Sequence, residues 1–298
     1  MDVRNKVVLV TGASGFVGTY VCQRLIAEGA RVRALVRRPE AVPEVERLGA
    51  ETVLGDITDA RVQEAAVRGA HVVVHGAFSD ASDLAEARRV NAEATGRLAE
   101  AALAAGCERF VHISTVAVYP TREREGAVDE TSPLLVEGET YPQTKAEAER
   151  ALNAVMARGL EAVLLRPAVI LGVHPSSIWG SRIPAAIAAG HFPQVDGGRP
   201  RFGYVHITSL AEAVVLALRV DAAVGEAFNI VDGHASWNQY TQAFRKGPLP
   251  ELPPDQAPEF LSFRGSFPTD KARRVLGFEP RECFESSMEE ILRALPRP

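Results

Sequence analysis

The sequence predicts an α/β protein built on a doubly wound parallel sheet, and three observations carry that prediction. The chain opens with a strand, a glycine-rich turn and a helix in direct succession; apolar runs of strand length then alternate with segments of helical periodicity; and the alternation loses its regularity only after Leu171. Alternation of this kind implies parallel strands joined by crossover helices, with ligands at the carboxyl ends of the strands.

The opening strand is KVVLV, an apolar run with the look of a parallel strand buried on both faces. TGASGFVG follows from Thr11 to Gly18, and TYVCQRLIAEG then has helical spacing closed by Gly29. Three glycines, Gly12, Gly15 and Gly18, suit a turn of unusual backbone angles, close approach of a pyrophosphate to main-chain N–H groups, and tight packing of helix on strand. The helix points its positive end at the phosphates. A dinucleotide is therefore expected against Gly12, Ser14, Gly15, Phe16, Val17 and Gly18.

Further along, ARVRALVR, AETVLGD, HVVVHGA, RFVHIST and EAVLLRPAVIL read as strands. The helices between them include LAEARRVNAEATGRLAEAALAAG, ending at Gly106, and TKAEAERALNAVMARG, ending at Gly159. Residues 173–201 are irregular, mixing Pro, Gly, His and Trp around a short RIPAAIAAG helix. The fold is expected to resume with GYVHI, a helix in which Ser209 and Glu212 form a capping-box pattern, and EAFNIV. The Pro-rich GPLPELPPDQAP then separates off the helices DKARRVLG and ESSMEEILRAL. This organisation predicts a dinucleotide-binding Rossmann domain from residues 1–172 and 203–234. A small substrate-binding lobe, from residues 173–202 and 235–298, is expected to lie over its crevice.

A chain of 298 residues can bury a large core. Its net charge of -5 and lack of a long basic run argue against a nucleic-acid partner. MDVRNK is charged and runs straight into a strand, unlike a secretory signal, and no apolar stretch matches a membrane span, so a cytoplasmic protein without a membrane partner is expected. Cys22, Cys107 and Cys283 lack CxxC or Cys/His spacing, which points to buried or half-buried thiols rather than a disulfide framework or a metal site.

Tyr141 and Lys145, in YPQTK, are four residues apart at the start of a helical segment, so both side chains turn toward one face. An ammonium near a phenol stabilises the phenolate, drawing the tyrosine down from about 10 toward the range of proton exchange near neutrality. HISTVAVY, at the end of the preceding strand, adds hydroxyls at Ser114 and Thr115. Hydroxyl, phenol and ammonium together can polarise a carbonyl and exchange a proton while a nicotinamide exchanges a hydride.

With these residues in place, the chain resembles the extended short-chain dehydrogenase/reductases, the family that includes NAD-dependent epimerases and dehydratases. TGASGFVG, GDITD, VVHGAF, VNAEATG, ISTVAVY, YPQTK and LRPAVILG fall in that family's order over nearly the whole chain. The resemblance implies Thr115 as the catalytic hydroxyl, Tyr141 as general acid/base, and Lys145 as the residue that holds the nicotinamide ribose and tunes the tyrosine. It further implies Asp56 and Ile57 at the adenine, with Gly76, Ala77, Phe78, Ser114, Pro167 and Val169 along the cofactor. Pro142 departs from the small residue common after the tyrosine, and it suits the first position of a helix. Ser79, Val116, His174 and Trp179 are candidate substrate contacts, with Trp179 equally readable as core and His174 and Arg182 as solvated loop. Helices over residues 84–106 and 142–158 resemble those that pair in the family's homodimers.

NAD enzymes of this fold place an acid at the end of the second strand to bind the ribose 2′-hydroxyl. This chain has Val36, Arg37 and Arg38 there, and guanidinium groups match phosphate oxygens, so NADP is the expected cofactor ahead of NAD. The family's dehydratases carry an Asp-Glu pair after the catalytic threonine, where this chain has Val116 and Ala117. Its nucleotide-sugar epimerases hold a diphosphate with an arginine where Phe202 stands, and an aspartate expected nearby is Ser209. The remaining resemblance is to the dihydroflavonol-reductase-like and hydroxysteroid-dehydrogenase-like branch, which implies an NADP-dependent oxidoreductase acting on a ketone, aldehyde or secondary alcohol. An NAD-dependent nucleotide-sugar epimerase and a non-catalytic NADP-sensing regulator are the alternatives.

Overall fold

The computed structural model describes residues 1–295. Its strands are β1 (Val7–Thr11), β2 (Arg31–Val36), β3 (Glu51–Leu54), β4 (Val72–His75), β5 (Arg109–Ile113), β6 (Ala162–Pro167), β7 (Val169–Leu171), β8 (Arg201–His206), β9 (Ala227–Ile230) and β10 (Gly233–Ser236). The α-helices are α1 (Phe16–Ala27), α2 (Val42–Arg47), α3 (Ala60–Val67), α4 (Leu84–Arg88), α5 (Ala94–Ala104), α6 (Thr140–Met156), α7 (Ile183–Ala188), α8 (Ile207–Arg219), α9 (Trp237–Thr241) and α10 (Phe284–Ala294).

Seven strands form the large sheet in the order β3-β2-β1-β4-β5-β6-β9, all parallel. Alternation sorts its side chains to two faces. Val8, Val10, Val32, Val72, Val74, Val111 and Leu165 pack against α1 and α8. Leu9, Leu35, Val73, Phe110 and Leu164 pack against α3, α5 and α6. The central strands are buried along their whole length because both faces are covered, as KVVLV suggested. Strand order reverses between β1 and β4, and the crevice at their carboxyl ends is the switch point where such sheets take ligands.

The run EAVLLRPAVIL is two strands. β6 ends at Pro167, which has no N–H to continue a ladder, and after Ala168 the chain enters a second sheet of order β10-β8-β7. GYVHI therefore does not rejoin the large sheet: β8 pairs antiparallel with β10 and parallel with β7. The large sheet is completed instead by β9, against β6.

Helix starts also differ from expectation. α8 begins at Ile207 with His206 as its N-cap, so Ser209 lies inside the first turn and Glu212 pairs with Arg24 of α1. The capping box occurs at Ser236 and Gln239, opening α9. Pro142 is the third residue of α6, still within the first turn where a missing N–H costs nothing. DKARRVLG is helical over residues 270–276, with its turns widened over Ala272–Leu276. Cys22 and Cys107 are buried thiols, whereas Cys283 is exposed and caps α10 through its sulfur. No helix among the described residues is long and apolar enough to cross a membrane.

Candidate active site

The site is built from the turn after β1. Gly12 has φ +72°, and a Cβ there would lie 2.9 Å from the Gly76 oxygen and the Ala77 nitrogen. A Cβ on Gly18 would lie 2.1 Å from the Gly12 oxygen, so this glycine lets the helix sit against the turn. Gly15 is the N-cap of α1 and brings no side-chain cap, which leaves the first amides of the helix to other acceptors. Ser14 and Val17 lie half-buried on the same turn, and Phe16 is buried. A turn packed too closely on its own backbone to admit a side chain at Gly12 or Gly18, beneath a helix start without its own cap, fits a dinucleotide diphosphate.

One of those amides already has a partner that the sequence did not disclose. Phe16 N donates to Ser176 Oγ at 3.0 Å, and Ser176 is paired with His174 Nδ1 at 2.8 Å. The His174 ring stacks on Phe16 at 5.9 Å, and Tyr20 donates to the Val173 carbonyl. His174 thus lies beside the start of α1 and the glycine turn, and the hint in the sequence is the HPSS run two residues after Gly172.

At the ends of β2 and β3, Arg37 and Arg38 are exposed, with Arg38 3.9 Å from Glu40. Asp56 takes hydrogen bonds from the Thr58 amide and hydroxyl, which together with the nearby Arg37 and Arg89 hold its carboxyl below the usual range. Ile57 beside it is buried. Arg89 is a further cation at this end.

After β4, Gly76 and Ala77 donate their amides to Thr11 Oγ1 at 3.3 and 3.2 Å. Asn91 pins Ser79, accepting from its N at 2.7 Å and donating to its O at 3.0 Å and to Thr144 Oγ1 at 3.0 Å. This loop leaves Phe78 48% exposed, its ring edge-on to Tyr141 at 5.7 Å.

Thr115 and Tyr141 come together at the carboxyl edge. Thr115 caps the turn after β5 by accepting from Ala117 N, and Tyr141 stands in the first turn of α6. Burial pushes the Tyr141 phenol up to about 12, with the Thr115 hydroxyl opposing that rise. Lys145 does not supply the expected lowering of the phenol in this geometry. Its Nζ is buried and donates to the Ile113 carbonyl at 2.7 Å, with His112 Nε2 at 3.4 Å. Burial lowers the Lys145 ammonium to about 8, and Glu149 acts in the opposite direction.

Ser114 points away from the crevice. Its Oγ donates to Glu149 Oε1 at 2.5 Å, and Glu149 also takes Arg166 Nε at 3.0 Å and Nη2 at 2.6 Å. Adjacent strand residues face opposite ways, so Thr115 on the ligand side sends Ser114 inward. Arg166 extends the buried chain to Tyr119 at 2.6 Å, and Tyr119 donates to Asn229 at 2.9 Å.

Pro167 is buried and Val169 half-buried at the β6 to β7 break. Val116 is buried among Val118, Tyr119 and Phe263. Trp179 packs on Trp237 at 5.4 Å, Phe260 at 5.8 Å and Tyr240 at 6.1 Å, which makes it part of the lobe's aromatic core. Arg182 is exposed and pairs with Asp80 at 3.0 Å. No cluster of three or more metal-ligating side chains occurs among the described residues.

A parallel sheet with this turn at its switch point, and with Thr115, Tyr141 and Lys145 on neighbouring elements, defines an extended short-chain dehydrogenase/reductase. Residues 8–231 match the model of the NAD dependent epimerase/dehydratase family, and the chain belongs to that family. It is 35% identical over 228 residues to the 4-hydroxy-2-methyl-3-oxo-4-farnesyl-3,4-dihydroquinoline-1-oxide ketoreductase of Stigmatella aurantiaca, covering 75% of this chain and 67% of that protein. It is 29% identical over 341 residues to the 3 beta-hydroxysteroid dehydrogenase/Delta 5-->4-isomerase of Mycobacterium tuberculosis, covering 96% and 89%. A solved short-chain dehydrogenase/reductase superfamily protein from Agrobacterium tumefaciens, with bound NAD, superposes with TM-score 0.76 at 28% identity, over 97% of this chain and 96% of that one. The UDP-glucose 4-epimerase of Thermotoga maritima shares the fold, with TM-score 0.82 at 21% identity over 96% and 97%. The chain is accordingly an NAD(P)-dependent enzyme of the oxidoreductase and epimerase type.

Proposed function

We propose that the protein is an NADP(H)-dependent oxidoreductase that interconverts a ketone or aldehyde with its alcohol. The observation that carries the carbonyl reading over a nucleotide sugar is Phe202. It is 4% exposed and stacks on Trp237 at 4.2 Å, so the position where the family's epimerases hold a diphosphate is part of an apolar core. Phe78 beside Tyr141 offers an apolar wall to the substrate instead. The ketoreductase and the hydroxysteroid dehydrogenase among the relatives, by their names, act on carbonyls or alcohols carried by bulky apolar skeletons, which supports the same reading.

The nicotinamide supplies or accepts the hydride when bound. Thr115 holds the substrate oxygen, and Tyr141 passes its phenolic proton to that oxygen during reduction and takes it back during oxidation. Lys145 would hold the ribose hydroxyls through the N–H that Ile113 and His112 leave free, and its positive charge would lower the cost of a phenolate at Tyr141. Arg37 and Arg38 favour a 2′-phosphate, whereas the solved relative from Agrobacterium tumefaciens holds NAD.

The test is a side-by-side titration with NADPH and NADH, followed by a carbonyl panel with the wild type and Tyr141→Phe. NADPH preference and turnover that falls at least a hundredfold in Tyr141→Phe, with cofactor binding retained, are the expected results. Full activity of that variant would overturn the mechanism. NADH preference with nucleotide retained through purification would move the reading to a redox-neutral epimerase.

A further inference from the structure

We propose that His112 is a positioning residue for Lys145: its neutral imidazole accepts one of the three ammonium N–H bonds and orients the remainder. The inference rests on the reading above, in which Lys145 holds the cofactor ribose. An ammonium has three donors and no acceptor. Ile113 O takes one at 2.7 Å and His112 Nε2 stands 3.4 Å away for a second, which leaves one for a ligand.

The tautomer follows from this geometry. Lys145 can only donate, so Nε2 of His112 is the bare nitrogen and the proton sits on Nδ1. Among the described residues that buried Nδ1 has no hydrogen-bond partner. An orphaned buried donor is a cost that packing alone does not reward, since an aliphatic side chain would fill the strand position without it. His75 shows the contrast. It lies opposite His112 in register, stacks on it at 5.3 Å, and has both nitrogens engaged, with Thr11 at 2.7 Å and Thr95 at 2.8 Å. The unpaired Nδ1 is therefore the consequence of presenting Nε2 to Lys145.

The titratable groups around Lys145 are His112 from β5, His75 from β4, and Tyr141 and Glu149 on its own helix, with Arg166 of β6 sharing Glu149. Burial, reinforced by the Lys145 charge, holds both histidines far below their ordinary values, so neither sets a competing cation beside the ammonium. A neutral acceptor then favours the charged lysine, which burial opposes.

The experiment compares wild type, His112→Leu and His112→Gln by thermal midpoint and by the pH dependence of the NADPH and NADH dissociation constants between about pH 6.5 and 9.5. His112→Leu is expected to keep or raise the midpoint while moving the alkaline loss of cofactor affinity down by about one pH unit. His112→Gln, whose amide oxygen can accept the same bond, is expected to restore the wild-type profile. A lowered midpoint with an unshifted profile would make His112 a core residue and overturn the proposal, as would a shift that glutamine does not rescue. Shifted binding in a protein that turns over no carbonyl would sustain the role of His112 and overturn the reaction. Failure of the wild type to bind either nucleotide would overturn both.

Discussion

Ser176 Oγ accepts the Phe16 amide at 3.0 Å, and so the loop after β7 supplies the first residue of α1 with the cap that Gly15 lacks. An exposed hydroxyl at the amides that face a diphosphate can rotate to donate to it. Ser176→Ala is expected to weaken NADPH binding about three- to tenfold and, through the lost cap, to lower the thermal midpoint slightly, measured by fluorescence titration and thermal melts. Equal affinity would remove Ser176 from the cofactor site.

Gly18 tolerates no side chain, because its Cβ would meet the Gly12 oxygen at 2.1 Å, a backbone atom that cannot rotate away. Gly18→Ala is expected to lose cofactor binding at least tenfold and to lower the melting midpoint. Gly15→Ala, with its nearest backbone contact at 3.3 Å, is expected to be much milder. Similar affinities for the two variants would contradict the packing argument.

The Glu149 and Arg166 pair is buried, with Arg166 bonded at 3.0 and 2.6 Å. Removing one partner leaves an uncompensated charge in the interior. Glu149→Ala is expected to cost about 3–5 kcal/mol in urea unfolding. Replacing both residues together with apolar ones should cost less than the single change, and a larger loss in the double variant would contradict a desolvation origin.

Two buried histidines, His75 and His112, and the half-buried His234 make the fold sensitive to acid. Burial is the main cause in each case, lowering His75 to about 3, His234 to about 4, and His112 well below its ordinary value. The unfolded chain binds these protons near pH 6.5 while the folded chain does not, so stability falls as pH drops from 6.5 toward 4. The slope approaches about 1.4 kcal/mol per pH unit for each histidine. Urea midpoints between about pH 7 and 4.5 read this above the range where carboxylates titrate; a flat profile there would mean the histidines charge within the fold.

Much of the site was legible because its signals are local. TGASGFVG combines a strand end, a positive-φ glycine and a helix start within eight residues, and YPQTK needs only one helical turn to set Tyr141 and Lys145 on one face. Two histidines at the same depth of adjacent strands, in HVVVHGA and RFVHIST, were a visible signal that strand periodicity alone left unread. Ser114 illustrates the opposite limit, since a hydroxyl next to Thr115 looked available to the cofactor. Its partner Glu149 is 35 residues away in sequence, and only that contact shows that it faces inward.

The sequence by itself determined the α/β class, the parallel β1-to-β6 core and the cofactor turn, because hydrophobic periodicity and glycine sterics act over a few residues. Only the tertiary structure decided that β8 leaves the large sheet for β7 and β10, that Ser176 caps α1, and that Lys145 turns to Ile113 and His112. A strand's own residues state that it wants a partner without naming which one, and a buried donor takes whichever acceptor the assembled core places within reach. Those choices depend on contacts between residues as much as 160 positions apart, as for Phe16 and Ser176, which no local pattern encodes.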